Sequence, residues 1–324
     1  MEWRSGDRIV TFDEEYPAIR GSLAALAARS GVAVHTLSLC DAAGRPLGDD
    51  EIVASVLPLL DAPTKLLLLS RVSWISGRRL PVAALLAAAR AAGVTTVLDG
   101  AQGVGALRDE IDRLDPDLLA FPSQKWLLGV EGLAGIRVSR AALAAETFRP
   151  IIGGFLAFDG QPLNGVGTFR ADARRYQMSG FSRPALAGAA RAAGWLSMQV
   201  GLPWATERAG RLAADFHAAV RDLPGVEMLA PAGGHATIVS LRVASWKPEQ
   251  LVEELSRRAF AITRRVPSLP QLDGRPGSAA ALRTSWGFWN TETEVARIAE
   301  LIALIAAHTP ESLPKRPTIE ILHG

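Results

Sequence analysis

The 324-residue sequence predicts an α/β fold in two parts: a large domain on a mainly parallel, mixed sheet, and a smaller α+β domain after it. Two observations predict this. The first half alternates short β-type apolar runs with amphipathic segments, the rhythm of a parallel sheet covered on both faces. After Gly201 the rhythm changes to long helices with isolated short strands. A chain of this length buries a large core and divides naturally into one large and one small domain. The predicted boundaries are 1–198 for the large domain, 199–310 for the small one and 311–324 for a tail.

The elements follow in order. Residues 9–12 read as a strand, 20–28 as a helix ending near Gly31, and 32–39 as a strand. Residues 49–60 form a helix started by an acidic cap at Asp49. Residues 66–69 are a buried strand. Residues 81–92 form a helix with Pro81 at its first turn and Gly93 after its last. Residues 95–98, 118–121 and 134–138 complete the strands of this half. Residues 148–180 are rich in glycine and aromatic residues and poorly periodic, as functional or subunit-contacting segments are. A helix over 184–198 leads to a hinge at Gly201-Leu202-Pro203. Then come a helix over 204–222, strands over 226–229 and 238–243, a helix over 248–258, a strand over 281–285, and a helix over 291–307 capped by Asn290 or Thr291. The tail from Thr309 carries three prolines and is expected to be loosely held. The first seven residues read as the end of a helix with Gly6 as its stop. The expectation is that sequence normally found upstream is absent.

Composition excludes several classes of function. Lys and Arg number 35 against 33 Asp and Glu. The pI near 9.0 therefore reflects a near balance, and nucleic acid is not implied. Cys40 is the only cysteine, so no disulfide forms within one chain and a reducing cytoplasm is the default. No signal segment opens the chain, and no uncharged apolar run reaches the roughly 18 residues of a membrane span. The histidines at 35, 217, 235, 308 and 323 lack metal-ligand spacing, so no metal is expected. Neither a dinucleotide-binding glycine motif nor a phosphate-binding Gly-x-x-x-x-Gly-Lys stretch is present. Asp109, Glu110, Asp112 and Asp115 read as a solvated face.

Ligands of open α/β sheets sit at the carboxyl ends of strands. Asp99 lies at such an end, followed by Gly100-Ala101-Gln102. An acid there ordinarily caps the next turn. Here Gly100 and Ala101 also leave room for a flat ring, and Gln102 can offer its amide to a phenolic oxygen. Lys125 follows the next apolar run, flanked on both sides by apolar and aromatic residues. A lysine is ordinarily a solvated surface charge. Burial lowers its pKa and frees its lone pair for imine formation. An amine that forms an imine, and a carboxylate that keeps a ring nitrogen protonated, are the two groups pyridoxal phosphate chemistry requires. Arg283, in the predicted strand 281–285, is either a snorkelling surface residue or a bidentate grip for a carboxylate.

These residues stand with Gly6-Asp7, Glu15-Tyr16-Pro17-Ala18, Val72-Ser73-Trp74-Ile75-Ser76-Gly77-Arg78, Lys125-Trp126-Leu127 and residues 283–291. In that order and spacing they resemble the class V aminotransferase family of pyridoxal phosphate enzymes, which includes cysteine desulfurases and an isopenicillin N epimerase-like group. The resemblance covers nearly the whole chain. It implies fold type I, the aspartate aminotransferase-like architecture. It also implies that Lys125 carries the Schiff base and shuttles the α-proton, that Asp99 pairs with the pyridine nitrogen, and that Gln102 reaches the phenolic oxygen. Tyr16 takes the place of a histidine that often stacks on the ring. Ser123 and Gln124 fall in the phosphate-facing turn, Gln124 where many members have histidine. Arg283 would bind the substrate carboxylate. The family is homodimeric, with both sites at the interface and residues 148–180 as the place to look for it.

Some positions depart from the family pattern. The stretch 264–280 lacks the nucleophilic cysteine of the desulfurases and Cys40 lies in another element, so a persulfide route is not expected. Gly180 falls near where a partner subunit often supplies a threonine. Trp74 replaces an asparagine of many desulfurases and points to the epimerase-like branch. The family's phosphate cradle, a loop and helix N-terminus, lies upstream of the strand at 9–12. The expected function is aminotransfer on a small amino acid with pyridoxal phosphate. A lyase or epimerase of the same family, and a non-catalytic scaffold with an incomplete cofactor site, stay open.

Overall fold

The computed structural model describes residues 1–108, 111–178, 180, 182–269 and 279–315. Asp109, Glu110, His323 and residues 316–324 of the predicted tail lie outside the described residues. The chain divides into two compact units: Met1–Trp74 with Arg79–Glu207, and Ile75–Arg78 with Arg208–Gly324.

The sheet of the first unit contains β1 (Arg8–Phe12), β2 (Ala33–Leu37), β3 (Thr64–Ser70), β4 (Thr95–Asp99), β5 (Leu118–Pro122) and β6 (Ala134–Val138). Their order is β2-β1-β3-β4-β5-β6. All neighbours are parallel except β5 and β6. The connections explain the directions. Helices α1 (Pro17–Ser30), α2 (Asp49–Val56), α3 (Val82–Ala91) and the short α4 (Ile111–Leu114) each carry the chain back so that the next strand can run parallel. Between β5 and β6 there is no helix, so the chain can only turn back on itself. Successive side chains feed two cores. Ile9 and Leu66 pack with Leu23 of α1 on one face. Val10, Leu67, Leu69, Leu98 and Leu119 pack with Ile52 of α2 and Leu85 of α3 on the other. Helices α5 (Arg140–Ala144), α6 (Arg183–Trp195) and α7 (Leu202–Val220) follow, α7 carrying the chain into the second unit.

Several local expectations are corrected. Residues 1–7 contain no helix. Their turn at Gly6 is held by Asp7, which accepts the Arg4 N–H at 2.6 Å and pairs with Lys65 at 2.8 Å. The helix predicted over 49–60 leaves α geometry after Val56 and continues as a 3₁₀ turn over Leu57–Leu59. Pro58 has no N–H to give an α-helical bond and disfavours helical backbone before it. Pro81 is the N-cap of α3 rather than its first turn. Of the predicted hinge only Gly201, at φ 83°, interrupts the helices. Leu202 and Pro203 already belong to α7, where proline suits a first turn.

The second unit holds β7 (Val226–Met228), β8 (Ile238–Val243), α8 (Pro248–Ala259), β9 (Arg264–Val266), β10 (Ala281–Ser285) and α9 (Glu292–Ala306). The strands form an antiparallel sheet in the order β7-β8-β10-β9. Strand β9 was not expected, because two of its three residues are arginines. Phe216 of α7, Leu255 of α8 and Ile302 of α9 pack with Leu241 and Leu282. Residues Ile75–Arg78 belong here too. The Gly77 carbonyl accepts the Ala236 N–H at 2.9 Å. Gly77 has φ +77°, and a Cβ on it would lie 2.2 Å from the Ile238 carbonyl oxygen, so no other residue fits. Helix α9 starts with a capping box: Glu294 N–H donates to Thr291 Oγ1 at 3.2 Å, and Thr291 N–H donates to Glu294 Oε2 at 2.7 Å.

Ile302→Ala is expected to lower the unfolding free energy by about 2–5 kcal/mol, and Thr291→Ala by about 1 kcal/mol. Urea denaturation followed by circular dichroism measures both. Equal losses from the two would contradict the packing described.

Candidate functional site

Strands β1, β3, β4 and β5 run parallel and side by side, so their carboxyl ends open on one edge of the first unit's sheet. Four short segments continue from that edge: 13–16 after β1, 71–74 after β3, 100–106 after β4 and 123–129 after β5. With Asp99 at the end of β4, they carry all the predicted site residues of this unit.

Asp99 is the last residue of β4. Its Oδ1 accepts the Ala101 N–H at 2.7 Å, so it does cap the following turn. Burial raises its pKa; the Ala101 N–H and the charge of Lys125 oppose that rise. The carboxyl therefore feels the charge of the amine. Gln102 is buried, and its Oε1 accepts the Trp126 indole N–H at 3.0 Å. An indole can only donate, so the amide must present its oxygen there and keep its NH₂ for other acceptors. Gly105 lets this turn approach the next one: it has φ +84°, and a Cβ on it would lie 2.9 Å from the Trp126 backbone.

The segment after β5 is a tight turn. Ser123 N–H donates to the Leu133 carbonyl at 2.9 Å, Leu128 N–H to Lys125 at 3.0 Å and Gly129 N–H to Ser123 at 2.8 Å. Leu128 sits at φ 55°. A left-handed leucine is strained, and such strain clusters at functional sites. The turn presents Lys125 Nζ 5.8 Å from the centre of the Tyr16 ring, a cation–π distance. Tyr16, at the N-cap of α1, meets Trp74 edge to face at 5.4 Å. The Ser123 hydroxyl donates to the Val130 carbonyl at 2.5 Å, so it braces the turn. Gln124 is exposed beside it.

Three acids at this edge were given no role from the sequence, although Glu15 stands in the 15–18 motif. Asp13, Glu14 and Glu15 are all buried. Glu15 accepts the Ser70 N–H at 2.7 Å and the Ser70 hydroxyl at 2.6 Å, and Glu14 accepts the Ser73 hydroxyl. Burial pushes the Glu15 carboxyl up to about 7; the Ser70 hydrogen bonds oppose this, and Asp99 and Glu14 add to it. Burial likewise raises Asp13, whose Oδ1 accepts the Leu39 N–H at 3.2 Å. The available signal was three consecutive acids between a buried strand and a helix.

Arg283 belongs to β10 of the second unit and is described there. Burial and the facing charge of Arg264 lower its pKa to about 10. Arg264 is its direct partner across β9 and β10. Like charges placed opposite each other destabilise a sheet, and an anion between them would relieve that. Arg264 was not foreseen because β9 was not. Among the described residues no group of His, Cys, Asp and Glu could hold a metal ion, and no helix is long and apolar enough to cross a membrane.

The family model described as Aminotransferase class-V matches residues 1–298. Isopenicillin N epimerase from Streptomyces clavuligerus is 29% identical over 310 residues, 91% of this chain and 73% of that protein. A cysteine desulfurase from Serratia proteamaculans is 42% identical over 88 residues, 27% of this chain and 21% of that protein. Among solved structures, a cystine C–S lyase in complex with cysteine persulfide superposes with a TM-score of 0.79 at 24% identity, covering 94% of this chain and 76% of that one. The apo cysteine desulfurase from Thermococcus onnurineus gives 0.79 at 20% identity, covering 94% and 74%. The last two are likenesses of fold.

The raised Glu15 carboxyl has a consequence for stability. Its unfolded form titrates near 4.5 and its folded form at about 7. Between those values the folded protein holds a proton that the unfolded chain has released, so stability falls as pH rises. The loss reaches about 3 kcal/mol above pH 7. Glu15→Gln is expected to remove it, so that the variant gains about that much on wild type between pH 4 and pH 8 in urea denaturation. Parallel stability curves for the two proteins would contradict the burial.

Proposed function

The chain belongs to the class V aminotransferase family, and we propose that it is a pyridoxal phosphate-dependent aminotransferase acting on the α-amino group of a small amino acid. The observation that carries this reading is the Lys125 amine, set over the Tyr16 ring and within electrostatic reach of Asp99.

The donor set suits the cofactor. Lys125 would hold its aldehyde carbon, Asp99 its ring nitrogen, Gln102 its phenolic oxygen and Tyr16 the face of its ring. Ser123 and Gln124 would serve the phosphate, Ser123 by turning its hydroxyl from the Val130 carbonyl. When bound, the cofactor supplies an electron sink for the pair left at the substrate Cα. The protein supplies the rest. Arg283, with Arg264 beside it, binds the substrate carboxylate by charge-assisted hydrogen bonds. Once the substrate's amine has replaced it on the cofactor, Lys125 Nζ would take the proton from Cα and deliver it, on the same face, to the carbon it had held. Trp126 holds the Gln102 amide in one orientation. A single amine base suits transfer of the amino group, which needs proton movement on one face only.

Epimerisation is the second reading, favoured by the similarity of nearly the whole chain to isopenicillin N epimerase. It requires a proton donor on the opposite face. A persulfide route is not proposed, since residues 264–280 contain no cysteine. We place the protein in the cytoplasm as a homodimer. Ile151, Phe155, Leu163 and Val166 support the dimer, because they leave large apolar side chains exposed within 148–180. Light scattering tests it, and a monomer at micromolar concentration would refute it.

Reconstitution with pyridoxal phosphate is expected to give a visible absorption band. An amino-acid screen with products identified by mass is expected to yield 2-oxo acids. An amino acid recovered with inverted configuration would replace transfer with epimerisation. Lys125→Ala should lose the band and at least about 10²–10⁴-fold in turnover. Arg283→Ala should raise KM by about 10–100-fold, the worth of a hydrogen bond to a charged group. An unchanged KM would remove Arg283 from the site.

A further inference from the structure

Glu15 is used by nothing in the proposed reaction, yet it is 1% exposed and its carboxyl is fully engaged. Both contacts are to one residue, Ser70, whose N–H and hydroxyl reach its two oxygens at 2.7 and 2.6 Å. Ser70 is in turn the register partner of Asp99 across β3 and β4. The next residue, Arg71, donates its N–H to the Asp99 carbonyl at 2.8 Å. Glu15, three residues past the end of β1, thus reaches toward Asp99 through Ser70, which pairs with Asp99 at the ends of β3 and β4. The Glu15 carboxyl touches Ser70, and Ser70 and Asp99 are one strand spacing of about 4.8 Å apart, which puts the two carboxyl groups within roughly 10 Å of each other. The space between them is buried protein, where screening by salt is weak.

The charges around these residues have one sign on one side. Glu15 faces Asp99 from β4 and Glu14 from its own segment, both of which disfavour its ionisation. Lys125, from the segment after β5, acts on Asp99 and favours the ionised form there. A cation seated against Asp99 would cancel part of the repulsion that Glu15 feels. By linkage, an ionised Glu15 would strengthen the hold on that cation.

We propose that Glu15 is a positioning residue for Asp99, a second carboxylate anchored on Ser70 that backs Asp99 in holding the cofactor's ring nitrogen protonated. The inference rests on the pyridoxal phosphate reading. It adds that the cofactor drives the Glu15 proton to solvent when it binds near neutral pH. A purely structural Glu15 would hold Ser70 in place and leave cofactor binding insensitive to its charge.

The test measures cofactor affinity by quenching of protein fluorescence in wild type and Glu15→Gln at pH 5.5 and pH 8. At pH 8 the glutamate is ionised, and the variant is expected to bind pyridoxal phosphate about tenfold more weakly, the size of a coulombic coupling over this distance at an effective dielectric of about 20. At pH 5.5 the glutamate is neutral and the two affinities should agree. Equal affinities at both pH values, or an equal loss at both, would overturn the proposal and leave the cofactor reading intact. Wild type that binds no pyridoxal phosphate at either pH would overturn both. A second measurement needs no variant. In wild type labelled with ¹³C-glutamate, the infrared band of a neutral glutamic acid carboxyl should be present near pH 6.5 and fall to about a third of its intensity when pyridoxal phosphate is added, as a tenfold coupling requires. A band undiminished in the loaded protein would also overturn the proposal.

Discussion

The site depends on parallel pairing of β3, β4 and β5 in a fixed register. Ser70 stands opposite Asp99, and Asp99 opposite Ala120. Because the strands run the same way, an acid at the end of one and an amine just past the end of the next arrive at the same edge. A slip of one residue would turn Asp99 to the other face of the sheet. Leu67, Leu69, Leu98 and Leu119 oppose that slip, since it would withdraw them all at once from the core they share with Ile52 and Leu85. The apolar core and the polar edge are therefore two readings of the same register.

The edge is built against stability. Asp13, Glu14 and Glu15 are buried within one turn of chain, and Asp99 lies near them. Each acid has an assigned donor: the Leu39 N–H for Asp13, Ser73 for Glu14, Ser70 for Glu15 and the Ala101 N–H for Asp99. These hydrogen bonds limit the penalty of burial without removing it. The like-charged pair Arg264 and Arg283 in the second unit follows the same logic with the opposite sign. Proteins tolerate such arrangements where a ligand later supplies the missing charge.

Much of this was readable in the sequence, and the reasons differ by residue. Asp99 was legible because it ends an apolar run and is followed by small residues. Lys125 stood out because it closely follows the apolar run 118–121 and is followed by Trp126-Leu127-Leu128. The parallel sheet followed from strand–helix alternation, and the reversed β6 is explained by the missing crossover helix before it. Glu15 was given no role because its hydrogen-bond partner, Ser70, is 55 positions away, and no local pattern encodes a contact of that range. Strand β9 escaped because Arg264-Arg265-Val266 carries no alternation, its pairing being set by β10. The first residues were misread for a third reason: Gly6 marks a turn, and a turn need not end a helix.

Borohydride reduction of the protein reconstituted with pyridoxal phosphate, followed by peptide mass mapping, tests the central assignment most directly. The account predicts one pyridoxyl group per chain, carried by the peptide that contains Lys125. A pyridoxyl group fixed to another lysine, with Lys125 unmodified, would contradict it.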